Sequence, residues 1–212
     1  MPMKEGNKKN TVTIGVLALQ GDIEKHMDML ERCGVKSLPV RFAEEIDTID
    51  GLVIPGGEST TVGKLMTRYG LDKKIAERAA EGMPIFGTCT GMILLAKEIV
   101  GSHQHRLGLM DISVLRNAFG RQVDSFETDI NINELGPPPV RAVFIRAPYV
   151  VEVNGKAEVL ATYMDKIVLV KQGNLLACAF HPELTEDTRI HEYFVNMVNA
   201  WVAERSQSEK AQ

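Results

Sequence analysis

The segment Gly87-Thr88-Cys89-Thr90-Gly91 constrains this chain more than any other, because it joins a strand-like apolar run to a helix-like one through two closely spaced glycines. A G-x-C-x-G turn between Pro84-Ile85-Phe86 and Met92-Ile93-Leu94-Leu95 fits a buried strand that passes directly into a helix. Glycines two residues either side of the cysteine allow so sharp a turn that the central residue takes a strained backbone conformation and presents its side chain at the top of a sheet. That is a setting for a nucleophile. The first amides of the following helix point at the same spot, where they can stabilise a thiolate and hold the oxyanion formed when it attacks a carbonyl. An unpaired cysteine is otherwise a small buried hydrophobe. Cys33, closing an apolar helical stretch, and Cys178, inside Leu175-Leu176-Ala177-Cys178-Ala179-Phe180, read that way.

The strand-to-helix alternation extends in both directions from this turn. An apolar run over 12–19 is followed at once by an amphipathic segment, Asp22 to Arg32, as in a buried parallel strand and its covering helix. Further strands are expected over Val35 to Val40 and Gly51 to Ile54, then helices from Ser59 toward Tyr69 and from Leu71 to Glu81. The turn itself is expected to join a strand over 84–88 to a helix over Thr90 to Glu98. The pattern predicts a three-layer, doubly wound α/β fold, mostly parallel, with ligands at the carboxyl ends of the strands. After Gly101 the sequence turns β-rich near 111–117, 123–130, 140–154, 158–162 and 166–170, which predicts antiparallel hairpins extending the sheet. Gly136-Pro137-Pro138-Pro139 reads as a rigid loop, and a closing helix is expected from Thr188 to Arg205. A single domain over 11–205 is expected, with residues 1–10 and 206–212 as flexible termini.

Composition excludes several function classes. With 212 residues, 44% of them hydrophobic, the chain can bury one substantial core. A net charge of −4 offers no basic face for nucleic acid. No apolar run approaches a membrane span and the first ten residues are polar, so a cytoplasmic protein is expected. Three cysteines without C-x-x-C spacing, and no H-E-x-x-H, suit a reducing compartment and argue against a metal.

A cysteine nucleophile needs a base, and the base needs an orienting group. Of five histidines, His26 and His191 lie on helices and read as surface or packing residues. His103 and His105 share a polar loop that lacks further ligands at suitable spacing. His181 emerges from the end of an apolar strand in Phe180-His181-Pro182-Glu183, and Glu183 is placed to accept from its imidazole. The alternative is that the pair caps the helix that follows.

Taken together, G-x-C-x-G after a strand and the later Phe-His-Pro-Glu resemble the class I, triad-type glutamine amidotransferases, over nearly the whole chain. Within that group the chain is similar to the glutaminase subunits of pyridoxal 5′-phosphate synthase. The blocks that carry this are Leu17-Ala18-Leu19-Gln20-Gly21, Pro55-Gly56-Gly57-Glu58-Ser59-Thr60-Thr61, Arg116-Asn117-Ala118-Phe119-Gly120-Arg121-Gln122, Phe144-Ile145-Arg146-Ala147-Pro148 and Phe180-His181-Pro182-Glu183-Leu184-Thr185. The resemblance implies a Cys89, His181, Glu183 triad that hydrolyses glutamine to glutamate and ammonia, with the Gly57 and Thr90 amides as oxyanion hole. It implies a substrate site formed by Gly56, Gly57, Glu58, Ser59, Arg116, Ile145 and Arg146, with Glu58 for the α-ammonium and the arginines for the α-carboxylate. Gln20 is implied to couple the oxyanion hole to a partner, a (β/α)8 synthase subunit in a hetero-oligomeric complex that receives the ammonia. Docking is implied to reorient the peptide near Gly56 and Gly57, so that the isolated chain is a weak glutaminase. No cofactor is implied. Position 90, usually alanine in this family, is threonine here. The rivals are another triad amidotransferase subunit, such as that of histidine biosynthesis, a stand-alone γ-glutamyl hydrolase, or a non-catalytic scaffold. The Arg116 and Phe144 blocks argue against the two enzymes.

Overall fold

The computed structural model describes residues 12–117 and 125–210. The segment Ala118 to Gln122 and the first two positions of the strand expected over 123–130 therefore lie outside the described residues, as do 1–11 and 211–212.

Strands β1 (Thr13–Leu17), β2 (Lys36–Val40), β3 (Gly51–Ile54), β4 (Ile85–Thr88) and β12 (Leu175–Cys178) pair in parallel, in the order β2-β1-β3-β4-β12. The inner strands β3 and β4 are buried at every residue, which their unbroken apolar sequences anticipate. β2 stands at the rim, where Pro39 leaves no gap in an inner ladder. From β1 the chain crosses to β2 through helix α1 (Ile23–Arg32), whereas from β3 it crosses in the opposite direction to β4 through α2 (Ser59–Arg68) and α3 (Leu71–Ala80). Right-handed crossovers running in opposite directions put these helices on opposite faces of the sheet. In agreement, α1 packs against the last helix, α5 (Arg189–Lys210), while α2 packs against α3 and against α4 (Thr90–Leu95). The three-layer doubly wound expectation is met. The switch in strand order falls between β1 and β3, beside β4.

Beyond β12 the sheet turns antiparallel through β11 (Lys166–Gln172), β9 (Tyr149–Val153) and β6 (Met110–Leu115), ends at β5 (Ala96–Ile99), and carries β10 (Glu158–Tyr163) on β11. Four expectations are corrected. The helix expected over Thr90 to Glu98 stops at Leu95, and Ala96–Ile99 pairs with β6 instead; every residue of α4 is buried, and an apolar run buried all round carries no period to separate helix from strand. The strand expected over 140–154 is two, β8 (Val140–Ile145) and β9, broken where Arg146 takes a positive φ of 42° just before Ala147-Pro148. β8 leaves the main sheet and pairs with β7 (Ser125–Ile130) as a separate ribbon rather than extending it. The last helix continues past Arg205 to Lys210. The proline-rich loop is tied down as a rigid element, with the Arg189 guanidinium donating to the carbonyls of Gly136, Pro138 and Pro139.

Candidate active site

Three neighbouring strands deliver the site. β4 lies between β3 and β12, with Gly87 opposite Ile54 and Thr88 opposite Cys178, so the segments leaving all three strands meet at one end of the sheet. Cys89 leaves β4 at φ 49° and ψ −98°, a conformation that non-glycine residues seldom hold without surrounding support. Support comes from its amide, which donates to the Cys178 carbonyl at 2.8 Å, and from Gly91, where a Cβ would lie 2.2 Å from the Ile54 carbonyl oxygen. No side chain fits at 91, so the elbow packs directly on the β3 backbone.

His181 follows β12, its amide donating to the Val143 carbonyl on β8 at 2.8 Å. Its Nδ1 lies 2.7 Å from Oε1 of Glu183, and it lines the same cleft as Cys89, whose thiol faces the Ile145 carbonyl at 3.9 Å. The capping alternative is set aside, because His181 heads a short 3-10 turn, Pro182–Leu184, without capping it. Burial opposes a charge on His181, but the neighbouring Cys89 and the hydrogen-bonded Glu183 carboxylate outweigh it and push its pKa up to about 10. Glu183 is buried too; desolvation favours its neutral form, yet His26 and His181 prevail and hold its pKa below the usual carboxylate value.

A cleft of about 320 Å³ opens over Cys89 and His181, lined by Gly56, Gly57, Glu58, Ser59, Thr90, Arg116, Ile145 and Arg146, together with Asp22, Ile93 and Asn117. The sequence-derived site residues are thus brought together, with Glu183 behind His181 and Gln20 beside the loop. Gln20 accepts at Oε1 from the Glu58 amide at 2.8 Å, while the Thr90 hydroxyl donates to the Gly57 carbonyl. The peptide joining Gly57 to Glu58 is therefore held at both ends. The Glu58 carboxylate caps α2, accepting from the Thr60 and Thr61 amides at 2.9 and 2.7 Å. The Thr61 hydroxyl and the Thr60 amide hold its pKa down at about 2, so it presents a full negative charge to the cleft, 4.0 Å from the Arg116 guanidinium. Opposite charges thus face the cleft within reach of one small zwitterion.

The family model described as the SNO glutamine amidotransferase family matches residues 16–200. The chain belongs to that family. A pyridoxal 5′-phosphate synthase subunit PdxT of Moorella thermoacetica is 58% identical over 185 residues, 87% of this chain and 98% of the relative. Another protein of that name, from Desulforamulus reducens, is 58% identical over 187 residues, covering 88% of this chain and all of the relative. Among solved structures, one titled a glutamine amidotransferase superposes with a TM-score of 0.84 at 49% identity, over 88% of this chain and 98% of that one.

The amidotransferase also holds groups that sequence reasoning assigned elsewhere. His26 and His191, read as surface or packing residues, are fully buried behind Glu183, with His26 Nδ1 3.0 Å from His191 Nε2. The helix-face position of His26 carried a signal, since it falls among the buried residues of α1 with Met29 and Leu30. Gln104, in the polar loop, accepts from the Arg116 guanidinium and so steadies it; nothing in the sequence pointed there. His105 faces Asp72 at 3.2 Å, and no cluster able to hold a metal occurs among the described residues.

Proposed function

We propose that Cys89 is the nucleophile, His181 the proton carrier and Glu183 the group that orients it, in the hydrolysis of glutamine to glutamate and ammonia for pyridoxal 5′-phosphate synthesis. The reading rests on one observation above all: a strained cysteine lines one cleft with an imidazole whose Nδ1 is held by a buried carboxylate at 2.7 Å. With the proton on His181, the Cys89 sulfur attacks the side-chain amide carbon, and the oxyanion that develops is met by the Gly57 and Thr90 amides. His181 gives its proton to the departing nitrogen, ammonia leaves and a thioester remains. Water, losing a proton to His181, then cleaves the thioester and glutamate departs. Glu58 takes the α-ammonium, Arg116 and Arg146 the α-carboxylate; a guanidinium's planar fork suits a carboxylate. Ser59 and Ile145 complete the walls.

Relatives that are more than half identical are named as synthase subunits, and this supports a partner for the chain as well. In this reading the partner is a (β/α)8 synthase subunit, and the two form a hetero-oligomer in the cytoplasm. No helix among the described residues is long and apolar enough to cross a membrane. Ammonia released into water would be protonated and lost, so the chemistry calls for a docked pair with an enclosed route. Gln20, bonded to the loop that carries Gly57, is the coupling residue. Glutamate release should be measured with and without the synthase subunit, with Cys89→Ala as blank. Release that needs Cys89 and rises with the partner supports the reading; release independent of Cys89 overturns the triad, and indifference to the partner overturns the coupling.

A further inference from the structure

Behind the Cys89, His181 and Glu183 constellation lies a second line of buried polar groups with no part in the chemistry just described. His26 sits on α1 and His191 on α5, both without solvent exposure. Nε2 of His26 is 3.4 Å from Oε2 of Glu183 and 3.2 Å from the Thr88 hydroxyl, and its Nδ1 is 3.0 Å from Nε2 of His191. Two buried atoms in this group lack a hydrogen-bond partner, Oε2 of Glu183 and Nδ1 of His191. Which imidazole nitrogens carry protons decides whether those two atoms are tolerable.

There are two neutral arrangements. If His26 carries its proton on Nδ1, it donates to His191 Nε2, so His191 must hold its own proton on Nδ1. A buried N–H is then left with no acceptor, and the lone pair of His26 Nε2 faces a carboxylate oxygen. Both features are unfavourable where the two imidazoles are fully buried. If instead His191 donates from Nε2 to His26 Nδ1, the proton of His26 is on Nε2, donated to Thr88 Oγ1 with Glu183 Oε2 3.4 Å from the same nitrogen. The unpartnered His191 Nδ1 is then only a lone pair. The second arrangement removes both conflicts: His181 faces Oε1, and the Nε2–H of His26 turns a positive dipole rather than a lone pair toward Oε2, 3.4 Å away.

We propose that His26 is a positioning residue for the triad: held by Thr88, its Nε2–H turns a positive dipole to the otherwise unpartnered Oε2 of Glu183, so that the carboxylate aims Oε1 at His181, with His191 setting the tautomer of His26. The hydrogen bonds then run in one direction from α5 through α1 to Thr88 at the end of β4. The proposal rests on the triad reading for its catalytic consequence, but its tautomer assignment stands apart from that reading.

The test has two arms. Nitrogen NMR of the full chain, labelled with ¹⁵N in histidine, reads the tautomers directly. Neutral Nε2–H forms are expected at His26 and His191 near neutral pH, and an Nδ1–H form at His26 overturns the proposal whatever the kinetics. In the complex with its synthase subunit, His26→Leu should lower kcat for glutamate release by about tenfold or more, with KM little changed, because the base is misaimed while the substrate cleft is untouched. His26→Gln, which keeps an N–H near the position of Nε2, should recover most of the loss. Equal losses in Leu and Gln, or a wild-type kcat in a folded His26→Leu, would show that the imidazole only fills space. If His26→Leu does not fold, the NMR arm still decides. Activity that survives Cys89→Ala would remove the triad reading instead, and leave the tautomers as measured.

Discussion

A Cβ built on Gly56 would lie 2.5 Å from Cε1 of His181, so the glycine loop after β3 and the imidazole after β12 occupy adjoining space with no room for a methyl group. The sequence reading counted Gly56 as a substrate contact. The structure gives it a second part, as the wall that keeps the imidazole over Cys89. Gly56→Ala must push the ring or the loop aside, and a shift of about 1 Å in a catalytic group can cost about a hundredfold in rate. The expected outcome is a kcat lowered by about that factor at nearly unchanged melting temperature, measured on the complex. A kcat within threefold of the parent would contradict it.

Cys89 holds its conformation at a cost to stability. Residues in such sparsely populated regions carry about 1–3 kcal/mol of strain. Elsewhere glycine is less stable than alanine by about 0.5–1 kcal/mol, but at position 89 the order should reverse, because only glycine adopts φ 49° and ψ −98° freely. Urea unfolding of Cys89→Gly and Cys89→Ala checks this. Alanine more stable than glycine would mean that the elbow is not strained.

Thr90 bonds through its hydroxyl to the Gly57 carbonyl, whereas its proposed oxyanion contact uses the main chain. The peptide beyond Gly57 keeps its other tether, from the Glu58 amide to Gln20, when the hydroxyl is removed. Thr90→Ala should therefore change the glutaminase rate by less than tenfold, under about 1.4 kcal/mol in barrier. A loss of a hundredfold would show that the hydroxyl itself orders the oxyanion hole.

The buried histidines predict how stability depends on pH. Burial, then the neighbouring His26, pushes the pKa of His191 down to about 3, and burial lowers that of His26, whereas in the unfolded chain both titrate near 6.5. Below pH 6.5 the unfolded state therefore binds protons that the folded state refuses, and stability falls as pH falls until His191 itself protonates. His191→Phe should flatten this dependence by roughly 1.4 kcal/mol per pH unit between about pH 6 and pH 4. His181 acts in the opposite sense. Its folded pKa of about 10 lies above the unfolded value, so its contribution is complete below pH 6.5 and is lost as pH rises toward 10. Urea titrations across pH test both limbs, and an unchanged acid slope in His191→Phe would sink the first.

The sequence by itself determined the doubly wound half of the fold, the elbow and most of the residues that the structure gathers in the candidate site. These are local matters. Four-residue apolar strands, amphipathic helices and a glycine-bracketed cysteine are recorded in neighbouring residues, and β3 was legible to its exact ends because both faces of the strand are buried. The boundary between α4 and β5 was not legible, since a run buried on every side has no period and only pairing with β6 made Ala96–Ile99 a strand. The same holds for the split between β8 and β9, which is a choice of sheet rather than a change of composition. Tertiary structure decided where the inward-turned histidines of α1 and α5 meet, His191 on His26 and His26 within 3.4 Å of the carboxylate held after β12. Burying an ionised group requires donors, and those donors come from whichever packed elements surround it, at sequence distances that no motif spans.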